Sequence, residues 1–455
     1  MAINKTAKML ALGAATTLGS MTAQAADKEL LDMLLQNGAI NQSQYNKLIQ
    51  QETLSKSDVD NIKIKLGKKG LQVESGDGDF KFGFGGRIHA DATFHSNDKA
   101  AGDKGVGGAT DGTEIRRGRL AFKGLFWDDF KFVSEVDFAD NKTAVKDMFI
   151  TYQGLDWLEL TVGHQKQPIS MELQESSNDI MFTERSLVNS LTASLFDRAI
   201  GIHLKSSGDD WSAQIGAYGD AMSPEKDHTV DEGWGAASRL TYAPINKKDQ
   251  VLHLGAYGGY RAPDTQGGAM SNGKDHVEFS YETTHMSNVK TSKLKVFDAK
   301  DFKMAGFEAA YMQGPFSVQG EYGRVWADLE NGETLDLDAF YVQTAWTLTG
   351  ESRSYKGSDG EFKRLKPSQN FSLKNGGWGA VELAARYDQN DLNSDGHDGG
   401  SEKAVTVALN WYLNENLRLM ADYRHAFDLS SSPAEVAGED IEDVHAFTFR
   451  TQLAF

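Results

Sequence analysis

The chain has 455 residues, a formal net charge of −18 and no cysteine. The absent thiols exclude disulfides, thiolate catalysis and cysteine-ligated zinc or iron–sulfur centres, and the acidic balance argues against general nucleic-acid binding. Beyond the first residues no stretch of about 18 apolar residues occurs, so no transmembrane helix is predicted. Glycine at 46, proline at 7 and a 10% aromatic content suit strands of which only alternate residues meet an apolar phase.

The chain opens with a predicted leader. Lys5 and Lys8 form a basic segment, Met9 to Leu18 is a short run of apolar and small residues, and Ala23-Gln24-Ala25 fits the A-x-A cleavage pattern. Residues 1–25 are therefore expected to be a Sec signal peptide cleaved before Ala26, which makes the mature chain still more acidic.

Residues 27–66 read as helical. Leu30, Leu31, Leu34 and Leu35 form one apolar stripe, Asn37-Gly38 punctuates, Tyr45, Leu48 and Ile49 form another, and Val59, Ile62 and Leu66 continue at helical spacing after a start at Ser57. Three short helices with narrow apolar faces cannot build a core of their own. Residues 26–79 are expected to be a helical periplasmic segment and linker, either a coiled coil of several copies or a partner of the barrel end, with an amphipathic tail as the alternative.

From Phe80 the period becomes two. Phe80, Phe82, Phe84, Gly86, Ile88, Ala90, Ala92 and Phe94 share one face, and Lys81, Gly83, Gly85, Arg87, His89, Asp91, Thr93 and His95 the other. The pattern recurs with Gly118, Leu120, Phe122 and Phe126 against Arg117, Arg119, Ala121 and Lys123. After Trp127-Asp128-Asp129 it returns with Phe130, Phe132, Val136 and Phe138 against Lys131, Glu135 and Asp137. Further strands are predicted at about 145–153, 157–164, 197–205, 210–219, 234–243, 251–261, 303–312, 316–327, 337–348, 378–388, 403–413, 416–428 and 443–455, giving roughly 16, the even number that bacterial barrels require. Connectors after even strands are mostly short, those after odd strands mostly long and rich in Gly and Asp, the asymmetry expected of periplasmic turns and extracellular loops. The connector at about 349–377 is long on the short side. The last strand alternates His445, Phe447, Phe449, Thr451, Leu453 and Phe455 with Ala446, Thr448, Arg450, Gln452 and Ala454. A barrel can pair such a strand with its first, whereas a soluble sandwich would leave it exposed. The fold expected for residues 80–455 is an all-β, 16-stranded antiparallel transmembrane barrel.

Several segments, in this order and spacing, resemble the phosphate-selective porins O and P. They are Glu114-Ile115-Arg116-Arg117-Gly118-Arg119, Val162-Gly163-His164-Gln165-Lys166-Gln167-Pro168, Phe182-Thr183-Glu184-Arg185-Ser186, Leu348-Thr349-Gly350-Glu351-Ser352-Arg353-Ser354-Tyr355, Gly377-Trp378 and Glu382-Leu383-Ala384-Ala385-Arg386-Tyr387. The resemblance covers most of the chain from about residue 80. It implies a homotrimer in the outer membrane of a Gram-negative cell, in contact with its lipids and lipopolysaccharide. Each barrel would have its own pore, narrowed by an inward-folded third loop at residues 165–196, with passive uptake of small anions such as phosphate or polyphosphate.

Anion selection requires cationic side chains that replace part of the hydration shell without holding the ion too tightly. Arg87, Arg117, Arg119, Lys123 and Lys131 have lumen parity on three adjacent strands, while Arg116 has the opposite parity and suggests a bulge or loop residue. Lys166, Arg185 and Arg198 match family positions. The competing reading is that lumen charges of both signs merely pair, for Asp91, Glu135 and Asp137 share that wall and Glu172, Glu175, Asp179 and Glu184 lie in the loop. A weakly selective or cation-preferring general porin is therefore the alternative function.

Asp391, Asn393, Asp395, Gly396 and Glu402 fit the D-x-[DN]-x-[DN]-G-x5-E spacing of a Ca2+ loop, but strands flank it and Asp398 stands where an apolar residue is usual. An acidic solvated loop competes with the Ca2+ site, and no other cofactor is predicted. No G-x-S-x-G, H-E-x-x-H, Walker or dinucleotide pattern supports an enzyme. A barrel hydrolase and a loop-based adhesin or receptor are the remaining readings.

Overall fold

The computed structural model describes residues 32–37, 40–46, 62–67, 70–76, 78–96, 110–219, 232–263, 276–286, 289–436, 439–440 and 443–455. The expected leader, its cleavage site, and the helical positions Leu30, Leu31, Leu48, Ile49, Ser57 and Val59 lie outside them. The chain divides into two compact units, residues 1–63 with 74–78, and residues 64–73 with 79–455.

In the first unit, residues 32–36 and 42–46 are helical. Asn41 and Gln44 cap the second turn reciprocally: the Gln44 N–H donates to Asn41 Oδ1 at 2.9 Å and the Asn41 N–H to Gln44 Oε1 at 3.0 Å. The Tyr45 hydroxyl donates to Asp32 and ties the two turns together. The expected third helix is corrected where it can be seen. Lys63–Gly67 is a strand paired with Gly70–Glu74, which in turn pairs with the first barrel strand. Ile62, Ile64 and Leu66 alternate with Lys63 and Lys65, and this period of two prevails over the three-to-four spacing from Val59.

Sixteen strands form the barrel wall: β1 (Phe80–His95), β2 (Gly112–Phe126), β3 (Phe130–Asp137), β4 (Ala144–Leu155), β5 (Leu158–Lys166), β6 (Arg198–Ser207), β7 (Trp211–Tyr218) and β8 (Trp234–Lys247), then β9 (Gln250–Ala262), β10 (Ala299–Gln313), β11 (Phe316–Leu329), β12 (Thr334–Thr347), β13 (Ala380–Asp391), β14 (Ser401–Tyr412), β15 (Leu417–Ser430) and β16 (Asp443–Ala454). Each pairs antiparallel with the next, and β16 closes on β1 from Ala446↔His95 to Ala454↔Arg87. At the end of that seam Phe455 and Gly86 exchange backbone hydrogen bonds of 3.0 and 2.8 Å. The remainder of β1 toward Phe80 has no β16 residue opposite it, and Gly70–Glu74 pairs there instead; a Cβ on Gly70 would lie 2.1 Å from the Phe84 carbonyl.

Polarity is inverted relative to a water-soluble protein. On β1, Ile88 and Phe94 are exposed, whereas His89, Asp91, Thr93 and His95 are buried. The exposed face meets lipid, where apolar side chains cost nothing, and the buried face turns into the lumen.

Three connectors fill part of that lumen. Residues 167–197, between β5 and β6, carry a helical turn (Met171–Gln174) and a helix (Asn189–Phe196). The β9–β10 connector holds a hairpin of His276–Glu282 and Lys290–Phe297, and the long β12–β13 connector a small one of Ser354–Lys356 and Glu361–Lys363. Neither hairpin is legible as an isolated element, yet alternation is present in the first: Val277, Phe279, Tyr281, Leu294 and Val296 are all buried. Val277, Phe279, Leu294 and Val296 pack with Leu191, Leu195 and Phe196 of the helix against Tyr257, Phe302, Leu337 and Tyr341 of the wall, each such side chain contributing about 1.5–3 kcal/mol. Phe196 lies against Gly259, where a Cβ would be 2.4 Å from its ring. The barrel lumen thus has an apolar side and a charged side.

The seam rests on a buried ion pair. Arg450 on β16 donates through Nε and Nη2 to Asp91 on β1 at 2.7 and 2.6 Å. Removing one partner leaves a buried, uncompensated charge at a cost of about 3–5 kcal/mol. Arg450→Ala is expected to lower the temperature at which the detergent-solubilised barrel loses its compact gel mobility, and Arg450→Ala with Asp91→Ala to recover part of the loss. A single variant melting with the parent would contradict this.

Candidate ion pathway

The charged side is built by β1 to β6. At the β1–β2 ladder the register slips between His89 and Ala90: His89 faces Arg117 and Ala90 faces Ile115, so Arg116 is the extra residue of a β-bulge. The bulge turns two consecutive arginines inward, which strict alternation forbids. Arg116 takes Glu184 of the inward loop by a two-point contact of 2.7 and 3.0 Å. Arg117 is buried, has no carboxylate within 4.0 Å among the described residues, and its Nη1 has no hydrogen-bond partner.

The other expected path residues divide by partner. Arg87 reaches Glu135 at 2.6 Å and the hydroxyls of Ser176 and Ser177 at 3.2 Å. Arg119 bridges Glu135 at 2.9 Å and Asp137 at 2.6 Å. Arg198 takes Asp147 at 2.9 Å and Asp197 at 3.2 Å. These three are locally neutralised. Lys123 and Lys131 are exposed toward the short-turn end, with no ion pair among the described residues.

Lys166 and Arg185 hold backbone instead of carboxylates. Lys166 Nζ donates to the carbonyls of Leu173, Gln174 and Glu175 at 2.6, 2.9 and 3.2 Å, completing the open C-terminal end of the Met171–Gln174 turn. Arg185 donates to the carbonyls of Glu172 and Glu175 at 2.9 and 2.8 Å. Neither has a carboxylate within 4.0 Å among the described residues, and both shape the loop through its carbonyls.

The far wall grips the same loop. Thr183 donates through its N–H and hydroxyl to Asp422 of β15 at 2.7 and 2.9 Å, and its carbonyl accepts from Arg450 at 2.5 Å. Asn410 of β14 donates to the Met181 carbonyl at 2.8 Å, Arg418 of β15 to the Ile180 carbonyl at 2.9 Å, and Arg386 of β13 to the Glu184 carbonyl at 3.1 Å. Within the loop Glu172 accepts from the Ser186 N–H and hydroxyl at 3.0 and 2.6 Å. Desolvation is the largest effect on Glu184, yet the adjoining Arg116, Arg117 and Arg450 overcome it and hold its carboxyl well below the usual range. Between loop, hairpin and β13–β16 lies a small pocket lined by Thr183, Glu184, Tyr281, Arg386, Asp422 and Arg424 among others.

Arg386, Arg418, Arg424 and Arg450 are thus functional candidates that attention to the first three strands misses. Their signal is the same alternation: Arg418, Met420, Asp422 and Arg424 are inward on β15, and Thr448, Arg450 and Gln452 on β16. The small hairpin contributes Arg353, which reaches Glu175 at 3.4 Å, and Asp359, which takes Lys205 at 2.7 Å.

The expected Ca2+ ligands do not converge. Asp391 Oδ1 accepts from the Asn393 N–H and side-chain amide at 3.0 and 3.1 Å, and Asn393 Oδ1 from the Gly400 N–H at 2.9 Å. Asp395, at φ 24, and Gly396, at φ 82, make the turn. Glu402 is buried in the wall, engaged by Arg424 at 2.7 Å and by the Thr291 hydroxyl. A carboxylate committed to a buried arginine is not available to a loop cation.

Comparison with known proteins agrees with this architecture. The family model for phosphate-selective porin O and P matches residues 82–455. Porin O of Pseudomonas aeruginosa is 28% identical over 405 residues, 81% of this chain and 87% of that protein. An uncharacterized protein of Caulobacter vibrioides is 30% identical over 361 residues, 77% of this chain and 69% of its own. Among solved structures, an anion-selective porin from Comamonas acidovorans has a TM-score of 0.53 at 13% identity, covering 83% of this chain and 100% of that one. In-vitro folded OmpT of Vibrio cholerae has a TM-score of 0.52 at 12% identity, covering 83% and 98%. At these identities the structures share the fold alone. The match across the entire barrel, together with closure and inverted polarity, makes this chain an outer-membrane channel that belongs to the phosphate-selective porin O and P family.

Proposed function

We propose that the protein is a trimeric porin through which small anions, inorganic phosphate among them, diffuse down their gradients along the β1–β6 side of the lumen, past a constriction formed by residues 167–197. The observation that carries this reading is the sign of the charge left over after pairing. Arg87, Arg119 and Arg198 pair with Glu135, Asp137, Asp147 and Asp197 and leave that group one negative charge in excess, while Arg117, Lys166, Arg185, Lys123 and Lys131 have no carboxylate within 4.0 Å among the described residues and outnumber that excess. In a low-dielectric enclosure, uncompensated cations raise the local anion concentration and repel cations. The chain's net charge of −18 does not oppose this, since a passing ion responds to the wall within about a Debye length of 8–10 Å. The family description, phosphate-selective porin O and P, points the same way. Trimer formation, contact with lipopolysaccharide and export by a cleaved leader are part of the proposal on the strength of the family resemblance.

The test is reversal potential in a planar bilayer under a KCl gradient. An anion-selective sign is expected, with added phosphate reducing chloride current. Arg117→Ala should lower the anion-to-cation permeability ratio severalfold. An unchanged ratio would remove Arg117 from the path, and a cation-selective parent would overturn the proposal.

A pH dependence follows from the loop. Burial, helped by Glu361, Glu172 and Asp179, outweighs Arg353 and pushes Glu175 up to about 7. A raised carboxyl stabilises the seated loop in its neutral form; that contribution is complete below the ordinary carboxyl value and lost as pH rises through about 7. Above that pH a new negative charge also appears beside Lys166 and Arg185. The permeability ratio should therefore fall between about pH 6 and 8, and Glu175→Gln should flatten the profile. An equally steep profile in the variant would assign the titration elsewhere.

A further inference from the structure

The outer wall carries a constellation that ion conduction does not use. His425 of β15 and His445 of β16 are direct cross-strand partners, with ring centroids 4.0 Å apart and planes at 20°. Asp443 lies two residues before His445 and so shares its face. His445 Nε2 is 3.4 Å from Asp443 Oδ2, and His425 Nε2 is 3.8 Å from the same oxygen. His425 Nε2 is sheltered from solvent without a hydrogen-bond partner. Tyr423, on the same face of β15, has its hydroxyl 2.8 Å from Nδ1 of His445.

We propose that His425, Asp443 and His445 form a site for a divalent transition metal ion, with zinc as the type. The spacing is the argument. Hydrogen-bonded donors and acceptors sit about 2.7–3.2 Å apart, so neither imidazole is hydrogen-bonded to Asp443. Ligands held about 2.0–2.2 Å from a tetrahedral ion are separated by roughly 3.3–3.6 Å, which the 3.4 Å contact meets and the 3.8 Å contact reaches by a small ring rotation. All three donor atoms lie within 4.8 Å of one another. Two imidazoles and one carboxylate suit zinc, copper or nickel and disfavour calcium and magnesium, which take oxygen sets. The Tyr423 contact occupies Nδ1 of His445 and directs Nε2 to the ion, the outer-shell orientation that metal-binding histidines need.

Position suggests the consequence. The cluster lies at the long-loop end of β15 and β16, at the root of connector 431–442. The carbonyl of His445 accepts from the Ser96 N–H at 3.1 Å, just beyond β1. An ion here would staple β15 to β16 next to the closing seam, where a wide barrel otherwise frays. Glu114, Asp140 and His285 form a second cluster, but there His285 Nδ1 already makes a direct 2.7 Å contact with Glu114. That cluster serves as the control.

Tag-free chain in detergent, freed of lipopolysaccharide and stripped with chelator, is titrated with zinc against a chromophoric indicator, after each variant is checked for heat-modifiable gel mobility. One zinc per chain at micromolar or tighter affinity is expected. His425→Gln and His445→Gln should each weaken it at least about 100-fold, Tyr423→Phe by about 10- to 100-fold, and His285→Gln not at all. Full binding by the His425→Gln/His445→Gln variant, loss with His285→Gln, or no binding tighter than millimolar would overturn the assignment. Copper paramagnetic resonance on the unsubstituted chain gives an independent reading: two coordinated nitrogens are expected, and one or none refutes the site.

Discussion

A backbone N–H or C=O facing hydrocarbon without a partner costs several kcal/mol, so a sheet in lipid must close on itself. Everything else in this molecule follows from the seam that achieves closure. The β16–β1 pairing ends where Phe455 and Gly86 exchange hydrogen bonds, and Gly70–Glu74 pairs with the stretch of β1 beyond it. Closure also gives each strand an inside and an outside. The inside is where charge is tolerated, because a wet lumen and fixed partners replace bulk water, and the Arg450–Asp91 pair therefore sits on the seam itself.

Sixteen strands enclose more space than side chains alone fill. The chain fills the excess unevenly, with apolar packing from the helix Asn189–Phe196 and the His276–Phe297 hairpin on one side and with polar grips on the other. The loop 167–197 is held by carbonyl-directed arginines and by carboxylates that accept its N–H groups. Cations that bond carbonyls fix the loop's geometry without a carboxylate partner. Lys166 and Arg185 thus position the loop, and carboxylate pairing would have left its carbonyls without these donors.

The strands were legible because alternation is a strong signal and the lumen and lipid faces differ sharply: all sixteen expected strands are present. Arg116 shows where alternation runs out. Its parity is wrong by simple counting, and only the slipped register opposite His89 turns it inward. The Lys63–Gly67 strand shows the opposite error, a helical spacing preferred over a local period of two. The hairpins inside the barrel lie in segments whose sequence predicts loops, because their burial is decided by the wall around them. The Ca2+ spacing failed for a related reason: a linear motif assumes one turn, whereas β14 carries Glu402 away from that turn and into the wall beside Arg424.

Charge in such a wall has meaning only after its partners are counted. Arg87 and Arg117 belong to the same inward face and look equivalent in sequence. One spends its field on Glu135 at 2.6 Å, and the other has no carboxylate within 4.0 Å among the described residues, feeling Glu184 only from farther away. In the proposed reading the selective element is therefore the positive charge that remains once the paired residues are set aside. On the proposed anion path the carboxylates that pair with Arg87, Arg119 and Arg198 would keep a passing anion from being held along the whole wall, in line with the weak, successive binding that conduction requires.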